Sequence, residues 1–235
     1  MLAAASGVAM AELVIAALTW VGIHVGLAGT GLRGVAVRAL GTRGFMAGFS
    51  LLSVASLVWL VRAYGGTETT PWWVAPNWLR WGLVVLMLPA FVLVVAAYTQ
   101  PNPTAVGQKL PANREPQGIQ RITRHPMMCG ITLWATLHIL GNGDSASTAF
   151  FGAFLLTALL GMPSIDAKLA ARDPAGWRAL AARTSALPFG AILAGRNHLS
   201  LREIGWLAPL LGLLLWAAVL HFHQKLFGVA PVALG

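Results

Sequence analysis

Six apolar stretches partition this 235-residue chain and leave room for little else: 8–27, 44–61, 78–98, 126–140, 147–162 and 204–222. A membrane-crossing helix needs about 20 predominantly apolar residues, and within lipid a helix satisfies its own backbone donors and acceptors. The sequence therefore predicts an all-α, polytopic membrane helix bundle of about six transmembrane helices, forming one domain over 1–235. Composition agrees, with 57% hydrophobic and 10% charged residues, where soluble domains carry roughly 25% charged. The first stretch lacks a basic leader and is too long for the core of a cleaved signal peptide. The stretch 126–140 is short, so it is expected either to extend backward or to sit deep among its neighbours. Pro89 and Pro209 fall inside spans, where neighbouring helices accommodate them.

The loops test that count, because lysine and arginine accumulate on the cytoplasmic side of a membrane. The first loop holds Arg33, Arg38 and Arg43, and the third holds Lys109, Arg114, Arg121 and Arg124. The fifth holds Lys168, Arg172, Arg178, Arg183, Arg196 and Arg202. Together these are 13 of the 16 basic residues, with only Arg62, Arg80 and Lys225 on the other side. The alternation predicts six spans in a bacterial inner membrane with both termini on the non-cytoplasmic side. It also accounts for the net charge of +9 without a nucleic-acid partner; lipid is the expected surroundings. A single cysteine, Cys129, rules out an intramolecular disulfide or a cysteine-based zinc site.

Two segments are expected at the membrane surface. Thr70-Pro71-Trp72-Trp73-Val74-Ala75-Pro76-Asn77-Trp78 concentrates tryptophan, which favours the headgroup level. Residues 174–186 space Trp177, Leu180 and Ala181 against Arg178 and Arg183 at helical period, predicting a cytoplasmic amphipathic helix that anchors to the membrane or roofs a site.

The histidines divide by depth. His24 closes the first span and His125 opens the fourth, both at the cytoplasmic end, whereas His138 lies about 20 Å further along the fourth helix, level with His221 and His223. His198 falls in the fifth loop and is expected to be solvated. Two imidazoles from different helices at one depth suit axial ligation of haem iron; hydrogen bonding to a carbonyl or a lipid phosphate is the structural alternative. His125 precedes Pro126, whose missing N–H and fixed φ suit the first turn of a helix. Cys129, one turn on, shares its helical face and is either an alternate thiolate ligand or inert packing. Arg121 and Arg124 flank this entrance, where they either grip an anionic cofactor group or snorkel to lipid phosphate. Glu12 and Asp144, with His138 and His221, are expected to form a polar cluster at the opposite end, a proton path or a structural network.

The run Gly118-Ile119-Gln120-Arg121-Ile122-Thr123-Arg124-His125-Pro126, followed by Leu133-Trp134-Ala135, Leu137-His138 and Gly141-Asn142-Gly143-Asp144, resembles the core signature of the NnrU family of bacterial membrane proteins. Ile23-His24, Trp177, Ala182-Arg183-Thr184-Ser185, Leu187-Pro188-Phe189, His221 and Gly228-Val229-Ala230-Pro231 extend the resemblance over most of the chain. It implies a haem b protein with His24 and His125 as iron ligands, acting as a cis-trans isomerase of a hydrophobic polyene, like the family's plant relative zeta-carotene isomerase, or supporting denitrification enzymes. A non-enzymatic factor assisting a membrane protein complex is the alternative within that resemblance. The Arg-His-Pro entrance is also similar to that of isoprenylcysteine carboxyl methyltransferases, which implies S-adenosylmethionine as an alternative cofactor. Met128 stands where that family carries tyrosine, and the first-span histidine and the 141–144 and 184–189 runs favour NnrU.

Overall fold

The protein was analysed as a computed structural model that describes residues 2–104 and 115–232; Lys109 and Arg114 of the third loop lie outside them. The described residues are helical apart from connecting loops and one isolated bridge between Pro71 and Asp144. They comprise α1 (Leu2–Val21), a π turn (Gly22–Leu27), α2 (Leu32–Gly65), α3 (Asn77–Thr99), a 3-10 turn (Gly118–Arg121), α4 (Pro126–Asn142), α5 (Ser145–Arg172), α6 (Pro174–Arg183), the short α7 (Gly190–Leu193) and α8 (Leu201–Ile204), and α9 (Leu207–Phe227). Five segments are long and apolar enough to cross a membrane: Gly7–Leu27, α2, α3, α5 and α9.

Several boundaries differ from those expected. The first basic loop is largely helix: Arg33, Arg38 and Arg43 all lie in α2, which is broken at Gly41 (φ 68°, ψ 166°), a conformation open to glycine and strained for other residues. The fourth stretch does not extend backward. Helix α4 starts at Pro126 and has 17 residues, because proline disfavours helical geometry in the residue before it. The fifth continues through Pro163 to Arg172, so Lys168 and Arg172 are helical. The sixth begins at Leu207, after a break at Gly205 (φ 65°). That puts Pro209 in the first turn of α9, where no backbone donor is missed.

The chain divides into two compact units, one of residues up to Ala75 with His138–Ser164, the other of Pro76–Leu137 with residues from Ile165 onward. In the first, α1 packs on α2; Leu13, Ala16 and Ala17 of α1 and Phe45, Leu60 and Ala63 of α2 are buried. The tryptophan segment is clasped by the turn between α4 and α5. Trp72 and Trp73 both donate their backbone N–H to Gly143 O (2.8 and 3.2 Å), and Trp73 Nε1 donates to Leu140 O (2.9 Å). Gly143 has φ 67°, and a Cβ there would stand 2.4 Å from Trp73 O, so only glycine fits. Asp144 caps α5, accepting from Ser147 N (2.7 Å) and Ser147 Oγ (2.8 Å), while Tyr64 and Asn142 meet the same hydroxyl. Glu12 takes a separate partner, Trp59 Nε1 (3.0 Å), and His138 stacks on Phe151.

In the second unit α3 packs on α9. A Cβ at Gly212 would come within 3.0 Å of the Val92 backbone, which sets how closely the two helices approach. Trp216 Nε1 donates to Val84 O (2.9 Å), in the turn before Pro89, where proline loosens the helical ladder. Ile119 fills the space between Ala96 and Ala208, tying the 3-10 turn to both helices.

Candidate functional site

Thr123 builds the entrance to α4. Its hydroxyl donates to Ala186 O (2.8 Å) and accepts from His125 N (3.1 Å). The His125 carbonyl takes the first helical bond, from Cys129 N (2.9 Å), ahead of Pro126 at the first helical position. His125 is therefore the residue that caps the helix, and it is only 1% exposed.

Its ring meets a residue that the sequence reading did not single out. His125 Nε2 lies 2.7 Å from Asp166 Oδ1. The same carboxylate accepts from Arg124 Nε (3.1 Å) and Arg124 Nη2, and the Arg124 guanidinium stacks over Trp177 at 5.1 Å. His125 Nδ1 is buried with no hydrogen-bond partner. The amphipathic helix expected over 174–186 is present as α6, capped by Asp173, which accepts from Gly176 N; through Trp177 it covers Arg124. Asp166 is one of only seven acidic residues, and that scarcity was the signal available in the sequence.

The segment 184–189 runs along this entrance. Arg124 N donates to Ser185 O (3.0 Å), Phe189 N to Ile122 O (2.8 Å) and Cys129 Sγ to Ala186 O (3.3 Å). Two runs distant in sequence thus dock backbone to backbone. Phe189 has φ 62°, a left-handed conformation uncommon outside glycine, and its bonds to Ile122 and Leu193 hold it there. Cys129 is buried, and its sulfur also contacts Thr123 Oγ1 (3.3 Å).

Arg121 is engaged elsewhere. Its Nε and Nη2 meet Glu203 Oε2 and Oε1 at 2.8 Å each, and Nη1 meets Asn197 Oδ1 at 2.8 Å. The hydrogen bonds from the guanidinium and from Gly118 N pull the Glu203 carboxyl down to about 2, and the same pair raises Arg121 above its ordinary value. A cavity of about 380 Å³ lies beside this pair, lined by Gln100, Gly118, Glu203 and Trp206 among others. Neither His125 nor Asp166 lines it, so this cavity and the His125–Asp166 pair are separate.

His24 belongs to the first unit. It sits in the π turn, where Ala28 N reaches back five residues to Ile23 O (3.1 Å); such turns recur at functional sites. His24 Nδ1 meets Trp20 O at 2.8 Å, and the ring packs on Trp20 and Phe49. Each histidine thus has one nitrogen tied to a protein acceptor, and His125 Nδ1 is sealed from solvent. Among the described residues no three His, Cys, Asp or Glu side chains cluster for a metal ion. His198 is exposed, as expected, and so is His221; His223 Nδ1 meets Val229 O (2.7 Å).

The chain is 30% identical over 182 residues to the chloroplastic 15-cis-zeta-carotene isomerase of Arabidopsis thaliana, covering 75% of this chain and 49% of that protein. It is 39% identical over 82 residues to the isomerase of the same name from Zea mays, covering 35% and 22%. The chain spans about half the length of the Arabidopsis protein and less of the maize one. No solved structure matches it. The family described as NnrU protein matches residues 12–231, and the chain belongs to that family.

Proposed function

We propose that this protein is a membrane-embedded cis-trans isomerase of a hydrophobic polyene, with haem b held by His125. The observation that carries the reading is His125 itself: a fully buried imidazole whose one nitrogen rests on Asp166 while the other has no partner. His24, with its Nδ1 on Trp20 O, is the second candidate ligand. Bound haem would supply an iron that, in its reduced state, interacts with a double bond and eases rotation about it. The chain's own residues hold and shield the ligand. Asp166 and Arg124 orient the ring, Thr123 fixes its backbone, and Trp177 covers the guanidinium. A mature cis-trans isomerisation moves no atoms between molecules and needs no net oxidant. That suits a site whose acidic and basic groups are already paired with one another.

The apolar helices suit a substrate delivered from lipid. We further infer the orientation from the basic residues: the Arg121–Arg124 entrance and α6 face the cytoplasm of a bacterial inner membrane, and both termini face away. Reporter fusions after Gly66 and after Gly195 would give opposite sidedness if this is right.

The test is spectroscopic and then chemical. Purified protein supplied with haemin should develop a Soret band that His125→Ala alters and His138→Ala does not. Incubated with 15-cis-zeta-carotene under reducing conditions, it should convert the 15-cis isomer to a trans product of equal mass. Absence of the band after haem supplementation would sink the haem reading; a band without conversion would sink the isomerase.

A further inference from the structure

We propose that the cavity beside the Arg121–Glu203 pair is a lipid-facing binding site that takes the uncharged hydroxyl head of a lipid-borne alcohol. It is separate from His125, and it holds whether or not the protein is an isomerase.

The cavity follows from where two helices stop. A Cβ at Gly212 would meet the Val92 backbone, and Ala96, one turn further along α3, clusters with Ala208, one turn earlier in α9. The two helices therefore run antiparallel. Carried another turn, this register brings the end of α3 at Thr99 to the break at Gly205, whose φ of 65° separates α8 from α9. Neither helix continues past that level, and Gln100 Nε2 braces the gap by donating to Ile204 O (2.9 Å). What is left is the hollow of about 380 Å³, walled by Thr99, Gln100, Glu203, Trp206 and Leu207 among others.

Both helices are long and apolar enough to cross a membrane, so the level at which both stop is a membrane boundary. Trp206 and Leu207 are 72% and 48% exposed there, and tryptophan favours headgroup depth. The Glu203 side chain is one-third exposed, so a ligand can reach the polar wall. The volume lies within the range of about 300–1,000 Å³ in which pockets hold small ligands. It suits a head and its first few carbons, with the tail left in lipid.

The polar wall selects the head. Glu203 is ionised, but Arg121 forks onto both of its oxygens at 2.8 Å, so the pair carries no net charge. A cationic head would compete with that fork, and an anionic head would meet the carboxylate. Hydrogen-bonding capacity nevertheless remains. Among the described residues, Glu203 Oε2 accepts from both Arg121 Nε and Gly118 N, whereas Oε1 accepts only from Arg121 Nη2. A carboxylate oxygen has two acceptor sites, and an amide nitrogen two N–H groups, of which Gln100 Nε2 spends one on Ile204 O. One spare acceptor and one spare donor match a hydroxyl, which donates once and also accepts.

The experiment uses the full chain labelled with 15N-tryptophan in dodecylphosphocholine micelles, whose head carries no hydroxyl. Trp206→Phe identifies the Trp206 indole signal among the ten tryptophans. Dioctanoylglycerol should move that signal saturably, and its 3-acetate, which differs only in the blocked hydroxyl, should bind at least about tenfold more weakly. Dioctanoyl phosphatidic acid and octylammonium present anionic and cationic heads, and glycerol presents hydroxyls without a tail; each should bind more weakly than dioctanoylglycerol. Thr99→Phe, which fills the hollow from α3 and leaves Arg121 and Glu203 in place, should weaken dioctanoylglycerol binding by a similar factor. Tyr98→Phe, exposed on the same helix and outside the hollow, should not. An acetate that binds as tightly as the alcohol would overturn the hydroxyl head, and tighter binding of phosphatidic acid or octylammonium would overturn the uncharged one. Glycerol binding as tightly would overturn the lipid source. A Trp206 signal that no compound moves saturably would overturn the site itself, and all these comparisons are made on the wild type.

Discussion

His125 Nε2 and Asp166 Oδ1 stand 2.7 Å apart although 41 positions separate them in the chain. Arg124 shares that carboxylate, and the side chains of Arg124 and Asp166 are 14% and 15% exposed. Removing one member of a largely buried pair strands the other. Arg124→Met is expected to cost about 3–5 kcal/mol, read as a lower midpoint in denaturant titration of the detergent-solubilised protein. Arg124→Lys should recover only part of the loss, because an ammonium neither forks onto a carboxylate nor stacks flat on Trp177.

Thr123 carries the link between the 118–126 and 184–189 runs. Thr123→Val keeps the shape and removes the hydroxyl, leaving His125 N without its partner and Ala186 O with only the Cys129 thiol. A loss of about 1–3 kcal/mol follows for buried groups of this kind. Thr123→Ser should stay closer to the wild type in the same titration.

The helix entrance was legible in the sequence because proline acts locally: Pro126 limits its predecessor, and His125 lies where that rule puts it. The amphipathic α6 was legible because its spacing is its own. Asp166 was not, since its partners come from a segment 41 residues earlier and hydropathy shows only the tail of a span. The docking of Ser185 and Ala186 on Arg124 and Thr123 was hidden for a different reason, being made mainly of backbone groups that every sequence carries. Loop boundaries failed where charge misled. Arg33 and Arg38 look like a loop by composition, yet arginine is a good helix former, and only Gly41 interrupts the helix.

At Gly143 the backbone conformation and the nearby Trp73 both exclude a side chain. Gly143→Ala should loosen the clasp on the tryptophan segment and destabilise the protein by about 1–3 kcal/mol. Trypsin has a site at Arg80 and chymotrypsin at Trp72, and the variant's faster cleavage at Trp72 would separate local loosening from global unfolding.

The Arg121–Glu203 pair sets an acid limit. Glu203 titrates at about 2 instead of 4.5, so its folded-state value is depressed. The stability it contributes is fully present above pH 4.5 and is lost as pH falls toward 2. Glu203→Gln should flatten that part of the stability profile. A one-third exposed carboxylate is also screened by salt, so the wild-type slope should shrink at high ionic strength. A profile unchanged by the substitution would assign the acid limit to another group.

Gly41 bears on how the protein meets its membrane. An unbroken α2 would extend about 51 Å at 1.5 Å per residue, well beyond a hydrocarbon layer of about 30 Å. The part after the glycine, residues 42–65, is about 36 Å long, a length that a modest tilt accommodates. One left-handed residue thus works as a length gauge. It separates the portion of the helix matched to the thickness of the bilayer, with Arg43 and Arg62 near its two ends, from the portion bearing Arg33 and Arg38 that need not enter it.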